Sequence, residues 1–166
     1  GVKGMLSAAK NVRNAMLFNV LSFMSDKLLT VGNTVAALDE LYIWLSDNVA
    51  VGTTIIEYIR NCLKRVRKKE SAMLLASQNL EDFNQEGIRE LTKPLFAIPP
   101  HQFLFNAGAV DKKFYMEALQ LEESEYNLIR FPQRGVCLYR CGNERYLLEV
   151  HAPAYKEALF GKAGGR

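Results

Sequence analysis

Thr34-Val35-Ala36-Ala37-Leu38 is a short apolar run that ends at once in two acids, Asp39 and Glu40. With no polar residue alternating through it, the run reads as a strand buried on both faces, as in a parallel sheet. Acids at the end of such a strand lie at the carboxyl edge of the sheet, where α/β folds bind ligands. There one carboxylate can serve Mg²⁺ through water, and the next can polarise an attacking water. The plainer alternative is a strand running into a helix whose first turn is acidic, which the helix dipole favours.

A second run of the same kind, Ala72-Met73-Leu74-Leu75-Ala76, ends in Ser77-Gln78-Asn79. Between the two, residues 55–69 read as the clearest helix of the chain. Ile55, Ile56, Ile59, Cys62, Leu63 and Val66 fall on one face. A loop over residues 50–54 precedes it, with Thr53 or Thr54 as the cap. Its last turn carries Lys64, Arg65, Arg67, Lys68 and Lys69. Cations there match the helix dipole, and that alone accounts for them as a solvated helix end. The sharper reading aims a guanidinium at phosphate. Strand–helix–strand order implies parallel strands whose ends share one edge, so Asp39, Glu40 and Gln78 can share a site. A glutamine there can sense a γ-phosphate or orient water, and Arg67 is placed to act across a subunit boundary on a neighbour's nucleotide.

The rest of the chain frames this unit. Residues 5–29 read as a helix with an apolar stripe of Leu6, Ala9, Val12, Ala15, Met16, Val20 and Phe23, breaking near Ser25-Asp26. Trp44 is expected to be buried. Residues 80–92 read as helix, and Pro94 and Pro99-Pro100 as loop markers. Residues 101–106 read as a third strand, Asp111 as a helix cap, and Ser124 as the cap of a helix over residues 125–129. Gly142-Asn143 between two β-rich runs reads as a hairpin, and residues 153–159 as a final helix. Tyr42, Trp44, Phe103, Phe105, Tyr139 and Tyr146 are expected in the core rather than on a base-stacking surface. The 166 residues are expected to form one domain: a helix over 1–30, an α/β core over 31–132, a hairpin over 133–151 and a helix and tail over 152–166.

A hydrophobic content of 49% with 23% charged residues is a globular composition, and a net charge of +3 does not by itself argue for nucleic acid. Three cysteines are too few for a secreted disulfide framework and suit a reducing setting. Cys137, Cys141, His101 and His151 are more readily buried thiols and structural or surface histidines than zinc ligands. No run is long enough to cross a membrane, so membrane association would come through partners.

In order and spacing, these motifs resemble the large cytoplasmic ATPases of conjugative transfer and type IV secretion, which are RecA-like P-loop proteins. The resemblance rests on Val35–Glu40, where Asp39-Glu40 stand as the Walker B acids, on Lys64–Lys69, and on Leu74–Asp82. Phe103–Asn106, the Asp111-led helix, the Leu121–Glu125 segment and the hairpin extend it, so that it covers residues 28–150. It implies a partial RecA-like sheet and an oligomeric motor, often hexameric, using ATP and Mg²⁺. Such a motor works with other secretion-channel subunits at the inner face of the cell membrane. By the same resemblance Asp39 holds Mg²⁺ through water, Glu40 handles the attacking water, Gln78 is the sensor and Arg67 the arginine finger, with Arg65 as second choice.

One departure limits this. The phosphate-binding loop G-x-x-x-x-G-K-[ST] does not occur in the sequence, and Gly161-Lys162-Ala163 is no substitute. The chain therefore reads as a C-terminal portion of such an ATPase, inactive alone and binding no nucleotide tightly. The P-loop strand is expected to lie between the two apolar strands, so that its absence leaves a gap filled by rearrangement or dimerisation. Two alternatives stand beside it: a non-enzymatic docking module of the secretion machine, and part of a hexameric DNA-translocating motor using the basic helix end on DNA.

Overall fold

A computed structural model describes residues 7–44, 49–78, 80–84 and 89–161. The chain divides into two units, residues 1–99 and 100–166.

The first unit is built around a two-stranded parallel sheet. Strand β1 (Val35–Leu38) pairs with β2 (Ala72–Leu75) in the register Val35↔Ala72 to Leu38↔Leu75. The ladder runs on past both ends: Ala72 N–H donates to the Thr34 carbonyl and Ala76 N–H to that of Leu38, both at 2.9 Å. No gap separates the two strands, so the expected vacancy between them does not exist. An uninterrupted ladder leaves no room for a P-loop strand in that position.

Helix α1 (Lys10–Asp26) leads into one π-helical turn, Lys27–Val31, closed by Gly32 N–H on the Lys27 carbonyl. The expected break at Ser25-Asp26 is this change of pitch. The expected stripe is the wrong one: Val12, Met16, Val20 and Phe23 are exposed, and Leu17, Leu21, Met24 and Leu28 are buried. Both sets recur at spacings of three and four, so periodicity alone does not choose between them. Leu6 and Trp44 lie outside what is described of side chains.

Helix α2 (Val49–Arg65) starts earlier than expected, ahead of Thr53 and Thr54. Thr54 is no cap; its hydroxyl donates to the Ala50 carbonyl inside the helix. The predicted inner face holds, with Ile55, Ile56, Ile59 and Cys62 at most 1% exposed. They form one core with Leu17, Leu21, Leu28, Leu38, Phe83 and Leu95. A 3₁₀ turn, Val66–Lys69, and the left-handed Glu70 connect α2 to β2. After β2 come a 3₁₀ turn, Glu81–Asn84, and α3 (Arg89–Ala97), which holds Pro94 in its interior rather than in a loop.

The second unit is a three-stranded antiparallel sheet with short helices. β3 (His101–Leu104) pairs with β4 (Val136–Cys141), which pairs with β5 (Glu144–Glu149). The hairpin and its Gly142-Asn143 turn are as expected, and β3 belongs to this sheet. Helix α4 (Lys112–Leu119) is capped by Asp111, whose Oδ1 accepts from Phe114 N–H at 2.9 Å. Helix α5 (Glu123–Leu128) begins at Glu122, not Ser124. Glu122 and Glu125 exchange side-chain and backbone bonds in a capping box, which leaves Ser124 inside the first turn. Helix α6 is Ala154–Phe160. Among the described residues, no helix is long and apolar enough to cross a membrane.

Candidate nucleotide-site edge

The parallel register sets this site. Because Leu38 faces Leu75, the residues that follow each strand emerge side by side at the carboxyl edge. Leu41 N–H donates to the Ala76 carbonyl at 2.8 Å and ties the two exits together. Between them Glu40 takes a left-handed backbone, φ 51°, which is uncommon for a residue with a side chain. Its N–H donates to Asp39 Oδ1 at 3.0 Å. Gln78 reaches across from the other strand, its Nε2 donating to Glu40 Oε1 at 2.6 Å. The second carboxylate oxygen, Glu40 Oε2, is buried and has no hydrogen-bond partner among the described residues.

Asp39, Glu40 and Gln78 are thus brought to one edge, Asp39 and Gln78 exposed and Glu40 half-buried. The orphaned oxygen of Glu40 points to a group that would complete it, and a water or a hydrated cation fits that role. Two carboxylates suit Mg²⁺, which takes one or two protein oxygens and completes its octahedron with water and substrate phosphates. Among the described residues, no three His, Cys, Asp or Glu side chains converge as a metal centre, so phosphate oxygens would have to share the ion.

Arg67 is not part of this cluster. It lies in the 3₁₀ turn that precedes β2, beside the entry to β1: Asn33 N–H donates to the Lys69 carbonyl at 2.9 Å. That is the amino edge of the sheet, one strand length from the acids. Arg65 is at the end of α2, and Arg65, Arg67, Lys68 and Lys69 are all exposed. Within one chain neither arginine meets the carboxylates.

The expected burial of both strand faces is half right. Ala36, Leu38, Met73 and Leu75 face the core, while Val35 and Leu74 are 66% and 62% exposed. The aromatic expectation is overturned more fully. Phe103, Tyr139 and Tyr146 are cross-strand partners that form a stacked row on one face of the antiparallel sheet, with centroids 4.8 Å and 6.1 Å apart. Phe103, Phe105 and Tyr146 are about half exposed, and Tyr42 is exposed as well. His101 extends the row, its Nδ1 2.8 Å from the Tyr139 hydroxyl. In β3 and β4 these rings lie on the face opposite Leu104 and Leu138, which are buried. Cys62 and Cys137 are buried, and burial raises both thiols above their ordinary pKa.

No family model matches the chain. No curated protein matches it in sequence. Among solved structures, VirB4 of Thermoanaerobacter pseudethanolicus superposes with a TM-score of 0.81 over 93% of this chain, at 26% identity. The chain folds like part of a type IV secretion ATPase. It spans 41% of the VirB4 chain. At 93% coverage the likeness takes in most of both units. Two features of the site have no signature in the sequence: the left-handed turn at Glu40 and the direct bond from Gln78. A glycine commonly announces such a backbone, and here a glutamate adopts it.

Proposed function

We propose that the chain supplies the carboxylate-and-sensor part of the nucleotide site of a type IV secretion ATPase. The observation that carries this reading is the junction of Glu40 and Gln78 at the carboxyl edge of paired parallel strands, with one Glu40 oxygen left open. The VirB4 likeness supports it. In this reading Glu40 polarises the attacking water, Asp39 holds Mg²⁺ through water, and Gln78 fixes the Glu40 carboxylate and reports on the γ-phosphate. ATP and Mg²⁺ supply the phosphoryl group and the charge that stabilises its transfer. Arg67, with Arg65 as second choice, serves a neighbouring subunit's nucleotide in an oligomer, often a hexamer in such motors. The backbone amides and lysine that cradle phosphates come from a P-loop-bearing segment outside these 166 residues. Joined to it, the protein acts at the inner face of the membrane with other channel subunits, moving protein or DNA.

The test is phosphate release by the chain joined to a P-loop-bearing segment. Glu40→Gln lowers turnover by roughly 10²–10⁴-fold, the range for loss of a general base. Unchanged turnover overturns the assignment of Glu40 and with it this reading.

A further inference from the structure

Among the described residues, β5 is one of the two edge strands of the antiparallel sheet. Its register with β4 is continuous from Val136↔Glu149 to Cys141↔Glu144, with no bulge and no proline. Val150 N–H donates to the Gly135 carbonyl at 2.9 Å. By the two-residue period, Glu144, Tyr146 and Leu148 also turn their backbone groups towards β4. Arg145, Leu147 and Glu149 therefore direct N–H and C=O groups outwards. Edges of this kind are normally guarded by charged side chains, proline, a bulge or a covering element, and β5 has only the charges of Glu144, Arg145 and Glu149. Here Tyr146, Leu147 and Val150 stand 48%, 54% and 56% exposed along it.

We propose that β5 pairs antiparallel with β5 of a second copy of this chain, about a twofold axis at Leu147. Antiparallel partners must share the same hydrogen-bonding phase, so outward residues pair only with outward residues. That leaves few registers. Centring on Arg145 sets two guanidiniums opposite each other, and centring on Glu149 sets two carboxylates opposite each other. Centring on Tyr146 puts Arg145 opposite Leu147, and centring on Leu148 puts Leu147 opposite Glu149, with no ion pair in either. Centring on Leu147 aligns all seven residues 144–150 and places Arg145 opposite Glu149 of the second copy, twice by symmetry. It also sets Tyr146 opposite Leu148 of the second copy, an aromatic–aliphatic pair at the end of the aromatic row. Arg145 has capacity for this: its Nε holds Glu125 at 2.8 Å and its Nη1 the Gly142 and Glu144 carbonyls, while Nη2 takes no part in those bonds. Glu149 meets the exposed His151 of its own chain, at 3.1 Å, a contact that leaves it at the surface. The product is a closed pair with a six-stranded sheet, the self-complementary interface that twofold symmetry demands. It does not depend on the nucleotide reading.

Light scattering on the whole chain across a concentration series is expected to show a dimer. Leu147→Lys, which sets two ammonium groups opposite each other at the axis, raises the dissociation constant about tenfold or more with circular dichroism unchanged. In a Cys141→Ser background, Leu147→Cys oxidises to a covalent dimer, because a hydrogen-bonded antiparallel pair holds Cα atoms about 5.5 Å apart, within disulfide reach. The exposed Leu74→Cys in the same background is the control and forms no covalent dimer. A monomer at every concentration overturns the proposal. So does a dimer indifferent to Leu147→Lys, or cross-linking at Leu74→Cys in place of Leu147→Cys. If Leu147→Lys does not fold, the cysteine pair decides alone.

Discussion

Glu40 is held by its neighbours more than by its own preference. A left-handed backbone at a non-glycine residue costs on the order of 1–2 kcal/mol, and two bonds offset it here, Glu40 N–H to Asp39 and Gln78 to Glu40. Glu40→Gln keeps an acceptor for the Gln78 amide and keeps side-chain shape. Its effect on stability in urea is therefore expected to be below about 1 kcal/mol. Loss of turnover in that variant then reports chemistry rather than folding, and a collapse of stability would contradict this account of the turn. Tyr115 is a second residue whose environment can be read as a number. It is 7% exposed, its hydroxyl donates to the Phe105 carbonyl at 2.8 Å, and burial pushes its pKa from 10 up to about 12, with Tyr126 adding to the shift. The folded pKa lies above the unfolded one. The stability this contributes is therefore complete below pH 10 and lost as pH rises through about 12, by roughly 2–3 kcal/mol. Tyr115→Phe is expected to cost about 1 kcal/mol at neutral pH and to flatten the fall in stability over that alkaline window. An alkaline limb as steep in the variant as in the parent would show that another group carries it.

The elements differ in how far the sequence announces them. α2 is legible because its apolar face is single: Ile55, Ile56, Ile59 and Cys62 point one way and lysines and arginines the other. α1 is not, because Val12-Met16-Val20 and Leu17-Leu21-Met24 are equally good stripes, and only the fold decides which one meets the core. The caps divide in the same manner. Asp111 is a side-chain acceptor at the start of a helix and announces itself. Glu122 works through a reciprocal pair with Glu125 that Ser124 obscures. Asp111→Ala removes the bond to Phe114 N–H and is expected to cost about 1 kcal/mol by chemical denaturation, while Asp111→Asn is nearly neutral. The turn into β1 is more demanding. Gly32 sits at φ 80°, and a Cβ there would lie 2.8 Å from the Lys69 carbonyl oxygen. That carbonyl also accepts Asn33 N–H, so it cannot retreat without loosening the entry to both parallel strands. Gly32→Ala is expected to destabilise by roughly 1–3 kcal/mol, beyond an ordinary surface substitution. A melting temperature equal to the parent's would show that the Lys69 turn yields freely.

For the whole molecule, the two sheets show where reading by pattern stops. Two apolar runs, one ending in acids and the other in Ser77-Gln78-Asn79, are enough to place β1, β2 and their shared edge. Yet which strand lies beside which is a long-range matter, and the direct β1–β2 ladder removes the gap that strand order suggests. The aromatic row is hidden for a related reason: in a one-sided antiparallel sheet an alternating ring is inside or outside by a single residue of phase. In the proposed reading Asp39, Glu40 and Gln78 activate water and share a cation, but none of them donates the array of backbone amides that holds a triphosphate in place. Positioning supplies much of phosphoryl-transfer catalysis, so an edge without its phosphate cradle is expected to leave ATP unhydrolysed. The purified 166-residue chain is accordingly expected to release phosphate at the background rate with ATP and Mg²⁺ present. Continuity or complex with a P-loop-bearing segment should raise that rate, and Glu40→Gln should remove the increase. Turnover by the chain alone that Glu40→Gln abolishes would mean that the phosphates are held by residues already within it. The exposed Arg65–Lys69 cluster at the opposite edge of the sheet would then be the first place to look, with a second chain presenting it.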